Sequence, residues 1–402
     1  MKTDAITTNQ IEIQCSDIFT HLAQQCSEYI KFQSQQIYNE YQLKSNYPVK
    51  LIFHLNQEEK QINFEQNENE INIYLSPREA EKFPDWVQER CFHKYAEILC
   101  QDLKPLWFQK GMTRLLSNPL SHQDMRHYLN QYIFKVGKTI PPISYLEKTE
   151  TDFQANQEEN TVQYDGYALS YMAVSYLKET STKEEFQSMI ANNQELEKIK
   201  DHILNDASTY YIQKYHIQFL NEKEITNEIE LFDYLAQTME YGWIGTDGKK
   251  YTHTMKPLRE TYRIQSVENV FKNHLMTCIE QVRIVSDYCQ KWDYPVKQFC
   301  FRKYEDKESY GEPILMHCFP IFQKNNHWYH FDYTNTRFLG IHEFNTLKEA
   351  IHSVISQYPE NDIRILTEIP GNIPEGLSFY EWNLYVNQFP EYQIPLEQKK
   401  NR

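Results

Sequence analysis

The stretch Ile314–Thr334, ILMHCFPIFQKNNHWYHFDYT, decides how the second half of the chain is read. Strand-forming residues run up to and away from Asn325–Asn326, a polar pair that tolerates the left-handed turn conformation, so the stretch reads as a β-hairpin. A two-residue turn pairs Lys324 with His327, and the side-chain period of two then sets both faces. Ile314, Met316, Cys318, Phe322, Tyr329, Phe331 and Tyr333 share one face, which is expected to be core. His317, Phe319, Ile321, Trp328, His330, Asp332 and Thr334 share the other. That places the His317 imidazole and the Asp332 carboxylate diagonally on one surface, within reach of each other. A histidine oriented by an aspartate still lacks a nucleophile.

Upstream, Ile279, Val282, Val285, Cys289 and Trp292 recur at intervals of three or four, which predicts a buried helix starting at or near Cys278. Unsatisfied N–H groups and the positive end of the dipole stabilise a thiolate at such a helix start, and the same N–H groups can hold an oxyanion. A strand at Val296–Tyr304 and a polar loop at Glu305–Gly311 connect this helix to the hairpin. The residues leave the choice of base open. Pro320 has no N–H, and a bulge there would change how His317 faces Asp332. His330 shares the same face and is the rival partner for the thiol.

The order Cys278, His317, Asp332 on helix, strand and adjacent strand resembles the core of the transglutaminase-like superfamily, whose catalytic geometry is that of papain-type enzymes. His327–Thr334, HWYHFDYT, is similar to the family's aromatic-rich strand with its D-x-T ending, although Met276 stands where many members have glycine. FLGIHEFNTLKEA at Phe338–Ala350 also resembles bacterial members, so the likeness covers about residues 230–360. It implies Cys278 as nucleophile, His317 as general base and then acid, and Asp332 as the group that holds the imidazole tautomer. It further implies a peptide or carboxamide substrate and a thioester intermediate, with no metal or organic cofactor. The alternative is an inactive relative that serves as a protein-interaction module.

The N-terminal half reads differently. Residues 8–44 predict one long amphipathic helix, Pro48–Asn56 a strand, and Gln61–Leu75 a hairpin around Asn67–Glu68–Asn69. Pro84–Cys100 is a packed helix with Val87, Cys91, Phe92, Tyr95, Ile98 and Leu99 on one side, and a shorter helix opens at Pro105. Further helices are expected near 121–134, 164–178, 183–191 and 195–220. This order, with PLWFQKGM after the helix, resembles gluzincin-type, peptidase MA-like metallopeptidase domains over about residues 45–195. Laying Glu89–His93 on the family's HExxH and Trp107–Gly111 on its W-L-x-E-G keeps only His93 as a ligand type. Glu89 replaces the first histidine, Arg90 the catalytic glutamate and Lys110 the third ligand. Zinc needs three or four N, O or S donors, and two cations in the expected shell oppose it. This half is therefore expected to be a scaffold or recognition surface, with His93 a partly buried, hydrogen-bonded helix residue. Gly137–Lys138–Thr139 is read as an ordinary loop, because Tyr132 stands where a phosphate-binding loop needs glycine.

The 402 residues have room for two or three domains, and 40% apolar with 14% aromatic residues indicates packed cores. The expected class is α+β. A mostly helical domain with a small β-sheet spans 1–222, a transglutaminase-like domain with a papain-like core spans 223–360, and residues 361–402 form an extension packed on the latter. The polar run NEKEITNEIE marks the passage between the first two. A helix follows over Leu231–Tyr241, then Gly242, Gly245 and Gly248 mark a specific loop in which Trp243 lines a cleft, and a short helix begins at Ser266–Val270. The net charge of −15, with no cationic block before Lys399–Lys400–Arg402, argues against nucleic acid as a partner. No signal-type or membrane-spanning apolar run is present, which argues against a membrane partner. The eight cysteines lack CxxC spacing and read as reduced, mostly buried thiols. Together these features predict a cytoplasmic protein.

Overall fold

The protein, seen in a computed structural model, is described over residues 11–56, 62–131, 166–192, 194–252, 257–304, 313–335, 338–358 and 363–392, and its architecture is α+β. Gly137–Lys138–Thr139 and the Glu305–Gly311 loop lie outside the described residues. Two compact units are present, one within Met1–Ser121 and Ile140–Tyr215, the other within His122–Thr139 and His216–Arg402. Among the described residues no helix is long and apolar enough to cross a membrane.

The first unit carries a four-stranded sheet of β1 (Ile11–Gln14), β2 (Val49–Leu55), β3 (Asn63–Asn67) and β4 (Glu70–Leu75), in the order β1-β2-β4-β3. The helix expected over 8–44 is shorter than its composition implied. Ile11–Gln14 alternates apolar and polar residues with the strand period and pairs parallel to Val49–Ile52, so α1 runs only over Thr20–Tyr41. Four helices follow: α2 (Pro77–Lys82), α3 (Pro84–Cys100), α4 (Leu106–Ser117) and α5 (His122–Asn130), the last belonging to the second unit. α3 buries Val87, Cys91, Phe92, Tyr95, Ile98 and Leu99, the side its apolar spacing selected. α6 (Gly166–Thr180) and α7 (Lys183–Ala191) precede a break that the sequence pattern did not mark. The single helix expected over 195–220 is two, α8 (Gln194–Ile199) and α9 (Ile203–Lys214), separated by a turn, and His216 in the left-handed conformation stops the second.

The second unit is built on α10 (Glu228–Thr238), a small sheet of β5 (Glu240–Ile244), β6 (Lys250–Thr252) and β7 (Leu275–Met276), the helices α11 (Leu258–Thr261) and α12 (Val267–Asn273), and α13 (Cys278–Lys291). Its main sheet contains β8 (Val296–Tyr304), β9 (Leu315–Lys324), β10 (His327–Asp332), β11 (Gly340–Phe344) and β12 (Ile363–Ile369), in the order β11-β10-β9-β8-β12 with every neighbour antiparallel. Helices α14 (Leu347–Ile355) and α15 (Phe379–Val386) complete it. α10 ends at Thr238 because Met239 is extended, which moves Tyr241 from the expected helix into β5. Trp243 does not line a cleft: it is fully buried and its indole N–H donates to Thr261 Oγ1 at 3.0 Å.

Both faces of the hairpin are core. Phe322, Phe331 and Tyr333 pack with Ile284, Val285, Tyr288 and Cys289 of α13, while Phe319 and Ile321 pack with Ala350, Ile351, Val354 and Ile355 of α14. The apolar run CFPIF, with no polar interruption, fits a strand buried on two sides.

The sheet edges are closed by hydrogen bonds. The Gln123 side-chain amide, on α5, donates to Ile341 O and accepts from Ile341 N, imitating one rung of an additional strand on β11. On the far edge Tyr392 N donates to Leu366 O at 2.7 Å. Arg302, buried on β8, donates to Thr367 Oγ1, Asn383 and Asn387, which ties α15 to the sheet.

α5 is fastened by charge as well. Arg126 forks onto Asp233 of α10, Asn130 donates to the same carboxylate at 2.9 Å, and Gln237 donates to Asn130 at 2.9 Å. Burial nevertheless pushes the Asp233 carboxyl above its usual range against the pull of Arg126. Arg126→Ala leaves that carboxylate buried with an amide alone, so a loss of about 3 kcal/mol in unfolding free energy is expected, read from the urea midpoint.

Candidate active site

Cys278 occupies the first turn of α13, as its apolar spacing predicted. The helix start is set by Thr277-x-x-Glu280: Thr277 caps the backbone, and Glu280 accepts from Thr277 N at 2.9 Å. Glu280, buried, also accepts from Tyr262 O–H at 2.8 Å and Gln265 N at 2.9 Å, so the cap is anchored to the preceding loop.

The turn at Asn325–Asn326 determines what the thiol meets. Both residues are left-handed, with φ of 51° and 66°, and Lys324 pairs with His327 as expected. Residues flanking a two-residue turn exchange both backbone hydrogen bonds, so the even-numbered N–H groups of β9 aim at β10 and the odd-numbered ones at β8. Gln323 N, donating to Pro295 O at 2.8 Å, follows this parity. Pro320 therefore lacks its N–H on the β10 side. Pairing of β9 with β10 stops at Ile321 and His330, whereas pairing with β8 continues unbroken through Gln298 and Pro320 to Lys303 and Leu315. No bulge forms. The next N–H aimed at β10, that of Cys318, is bonded to the Cys278 sulfur.

His317 Nε2 lies 2.6 Å from Asp332 Oδ2, and the imidazole is also hydrogen-bonded to the Cys278 thiol. With Nε2 committed, Nδ1 is the nitrogen left for sulfur. Asp332 is sealed at 0% exposure, His317 is at 6% and Cys278 at 9%, so Cys278 is the most open residue of the three. The other carboxylate oxygen, Oδ1, accepts from Thr334 N at 2.9 Å, Thr334 Oγ1 at 3.0 Å, Asn335 N at 2.9 Å and Gln281 Nε2 at 3.2 Å. These donors are what the Asp-Tyr-Thr sequence supplies when the strand ends in an Asx-type turn.

The electrostatics follow from those contacts. A hydrogen bond from the Cys318 thiol, the His317 ring and its charge, and the Cys318 N–H outweigh burial and hold Cys278 well below the ordinary thiol range. Burial alone disfavours the charged imidazole, but Asp332 and the sulfur raise His317 well above its ordinary value. Burial likewise opposes ionisation of Asp332, and the charge and hydrogen bond of His317 override it, holding the carboxyl far below its usual range. The result is a thiolate–imidazolium pair beside a carboxylate, an arrangement able to attack a carbonyl carbon and protonate a leaving amine.

His330, the rival base, sits behind the site. It is fully buried, Nε2 is 3.6 Å from Asp332 Oδ2, and neither ring nitrogen has a hydrogen bond. Burial, joined by the charge of His317, lowers its pKa against the pull of Asp332, and its ring stacks on Phe338 at 5.2 Å, so it is a neutral packing residue rather than the thiol's partner.

Two contributors escaped the sequence reading. Gln281 bridges the triad's elements: besides donating to Asp332 it accepts from Tyr333 N at 2.6 Å and Thr334 N at 3.1 Å. Its signal is a glutamine on the buried face of an apolar helix, one turn after Cys278. Cys318 was assigned to core, which it is, but its thiol and amide also touch the sulfur.

In the first unit, His93 Nδ1 pairs with Ser117 Oγ at 2.7 Å and Nε2 with Glu97 at 3.3 Å, the hydrogen-bonded helix residue that the sequence implied. Arg90 lies over the Trp86 ring and Lys110 over Tyr167, and no group of three or more His, Cys, Asp or Glu among the described residues is placed to hold a metal.

No family model matches the chain, and no curated protein matches it either.

Asp332→Asn removes the charge that sustains the imidazolium. Alkylation of Cys278 by iodoacetamide, measured against pH, is expected to persist far into acid for the native chain. Its midpoint should move up toward the ordinary thiol range in the variant.

Proposed function

We propose that this chain is a transglutaminase-like cysteine hydrolase or acyltransferase acting on a peptide or carboxamide. The supporting observation is the continuous contact from the Cys278 sulfur through the His317 ring to Asp332 Oδ2 at 2.6 Å, on a helix start and two adjacent strands. The Cys278 thiolate attacks the carbonyl carbon and the oxygen becomes an oxyanion that the Cys278 N–H can stabilise, the next N–H groups of α13 being taken up by Thr277. His317 gives its proton to the leaving amine, leaving a thioester. His317 then takes a proton from water or from an amine, whose attack releases the acid or the new amide. Asp332, held by Gln281, Thr334 and Asn335, keeps the imidazole in the orientation both steps require. The chemistry calls on no metal or organic cofactor. All eight cysteines are free, which fits a reducing compartment and the cytoplasm.

The narrow exposure of Cys278 favours a second reading, a protein-interaction module that retains the triad without turnover. A chloroacetamide activity probe separates the two. Under the catalytic reading Cys278→Ala abolishes labelling, His317→Ala slows it about a hundredfold or more, and substitution of any cysteine outside the site leaves it intact. Equal labelling across the set would remove the catalytic reading.

A further inference from the structure

We infer that Cys278 and Cys318 form a reversible disulfide when the protein meets hydrogen peroxide, making the candidate active site its own peroxide-sensitive switch. This rests on the thiolate reading of Cys278 given above.

Three cysteines lie in one buried cluster with Ile279, Val282 and Trp382. Cys278 comes from the start of α13, Cys318 from β9, and Cys300 from β8, where it is the direct cross-strand partner of Cys318. Their thiols are hydrogen-bonded in series, Cys278 to Cys318 and Cys318 to Cys300. The parity of the hairpin turn explains the closeness. Because β9 and β10 part beyond Ile321, the sulfur of Cys278 enters the opened margin of β9 and meets both the amide and the side chain of Cys318.

Proximity by itself is insufficient, and the other unit supplies the contrast. Cys26 and Cys91 are also in thiol–thiol contact, but there burial raises Cys91 well above the ordinary range, and protonated thiols react slowly with peroxide. At Cys278 the neighbouring imidazolium maintains the reactive thiolate, while burial holds Cys318 well above the ordinary range, so Cys278 is the thiol that meets peroxide and Cys318, already against it, the one that resolves.

The chemistry balances. The Cys278 thiolate attacks one peroxide oxygen, the O–O bond breaks, and the departing hydroxide takes the His317 proton as water, leaving a sulfenic acid. The Cys318 sulfur then attacks the sulfenic sulfur, the S–S bond forms, the S–O bond breaks, and hydroxide leaves with the Cys318 proton as a second water. Two thiols and one peroxide thus give one disulfide and two waters, and an external dithiol reverses it.

The test treats the full chain with hydrogen peroxide, blocks free thiols with N-ethylmaleimide, and maps peptides by mass spectrometry without reductant. A linked Cys278–Cys318 peptide is expected, with Cys26 and Cys91 still reduced, and dithiothreitol should restore probe labelling of Cys278. Cys318→Ser retains a hydrogen-bond donor but cannot resolve the sulfenic acid. Its labelling after dithiothreitol, relative to its own unoxidised level, should be about tenfold lower than for the native chain, with sulfinic acid found at Cys278. Sulfinic acid forming equally with and without Cys318, and no linked peptide, overturns the proposal. Labelling before peroxide reports separately on the catalytic reading, since a linked peptide is scored whether or not the chain turns over substrate.

Discussion

The two left-handed asparagines at the hairpin turn set a parity that reaches the site through seven residues of β9. Because the turn has two residues, the N–H of every even-numbered residue on that strand points toward β10. Phe322 and Lys324 sit opposite Tyr329 and His327 in that ladder, Pro320 has no N–H to offer, and the ladder ends. The Cys318 N–H is thereby released to the Cys278 sulfur. A turn one residue longer would exchange the roles of odd and even positions. His317 would then leave the surface that carries Asp332.

Holding three charges in so enclosed a place depends on mutual compensation. Burial opposes ionisation of the carboxylate, the imidazole and the thiol alike. Each is kept charged by the others and by fixed donors, with Asp332 receiving hydrogen bonds on both oxygens. His330 marks the contrast within the same sheet: equally buried, 3.6 Å from the same carboxylate, but with no hydrogen bond, it stays neutral. Gln281 links the two halves of the site, because a shift of α13 relative to β10 would break its bonds to Asp332, Tyr333 and Thr334 together.

In the first unit His93 is held by Ser117 and Glu97 on its own and the next helix, while Arg90 and Lys110 lie over aromatic rings. The positions that a metallopeptidase would devote to zinc here serve packing and surface charge. Strands precede helices in this unit, and no donor set for a metal is present among the described residues.

Local chemistry was legible in the sequence. α3, β8 and the start of α13 carried their own signals in apolar spacing, proline and capping residues, and the hairpin declared its register through Asn325–Asn326. That register put His317 and Asp332 on one face, on the condition that Pro320 formed no bulge between them and the turn. Elements whose local preference was divided were not legible: Ile11–Gln14 became a strand because β2 offered an edge, and Tyr241 joined β5 because it could pair with Met276. Tertiary structure alone decided that Pro320 ends a ladder rather than forming a bulge, that His330 is packed away from the thiol, and that Gln281 and Cys318 belong to the site. Each of those outcomes depends on which element lies across from the residue, and contacts between segments distant in the chain are set by packing, which no local pattern encodes.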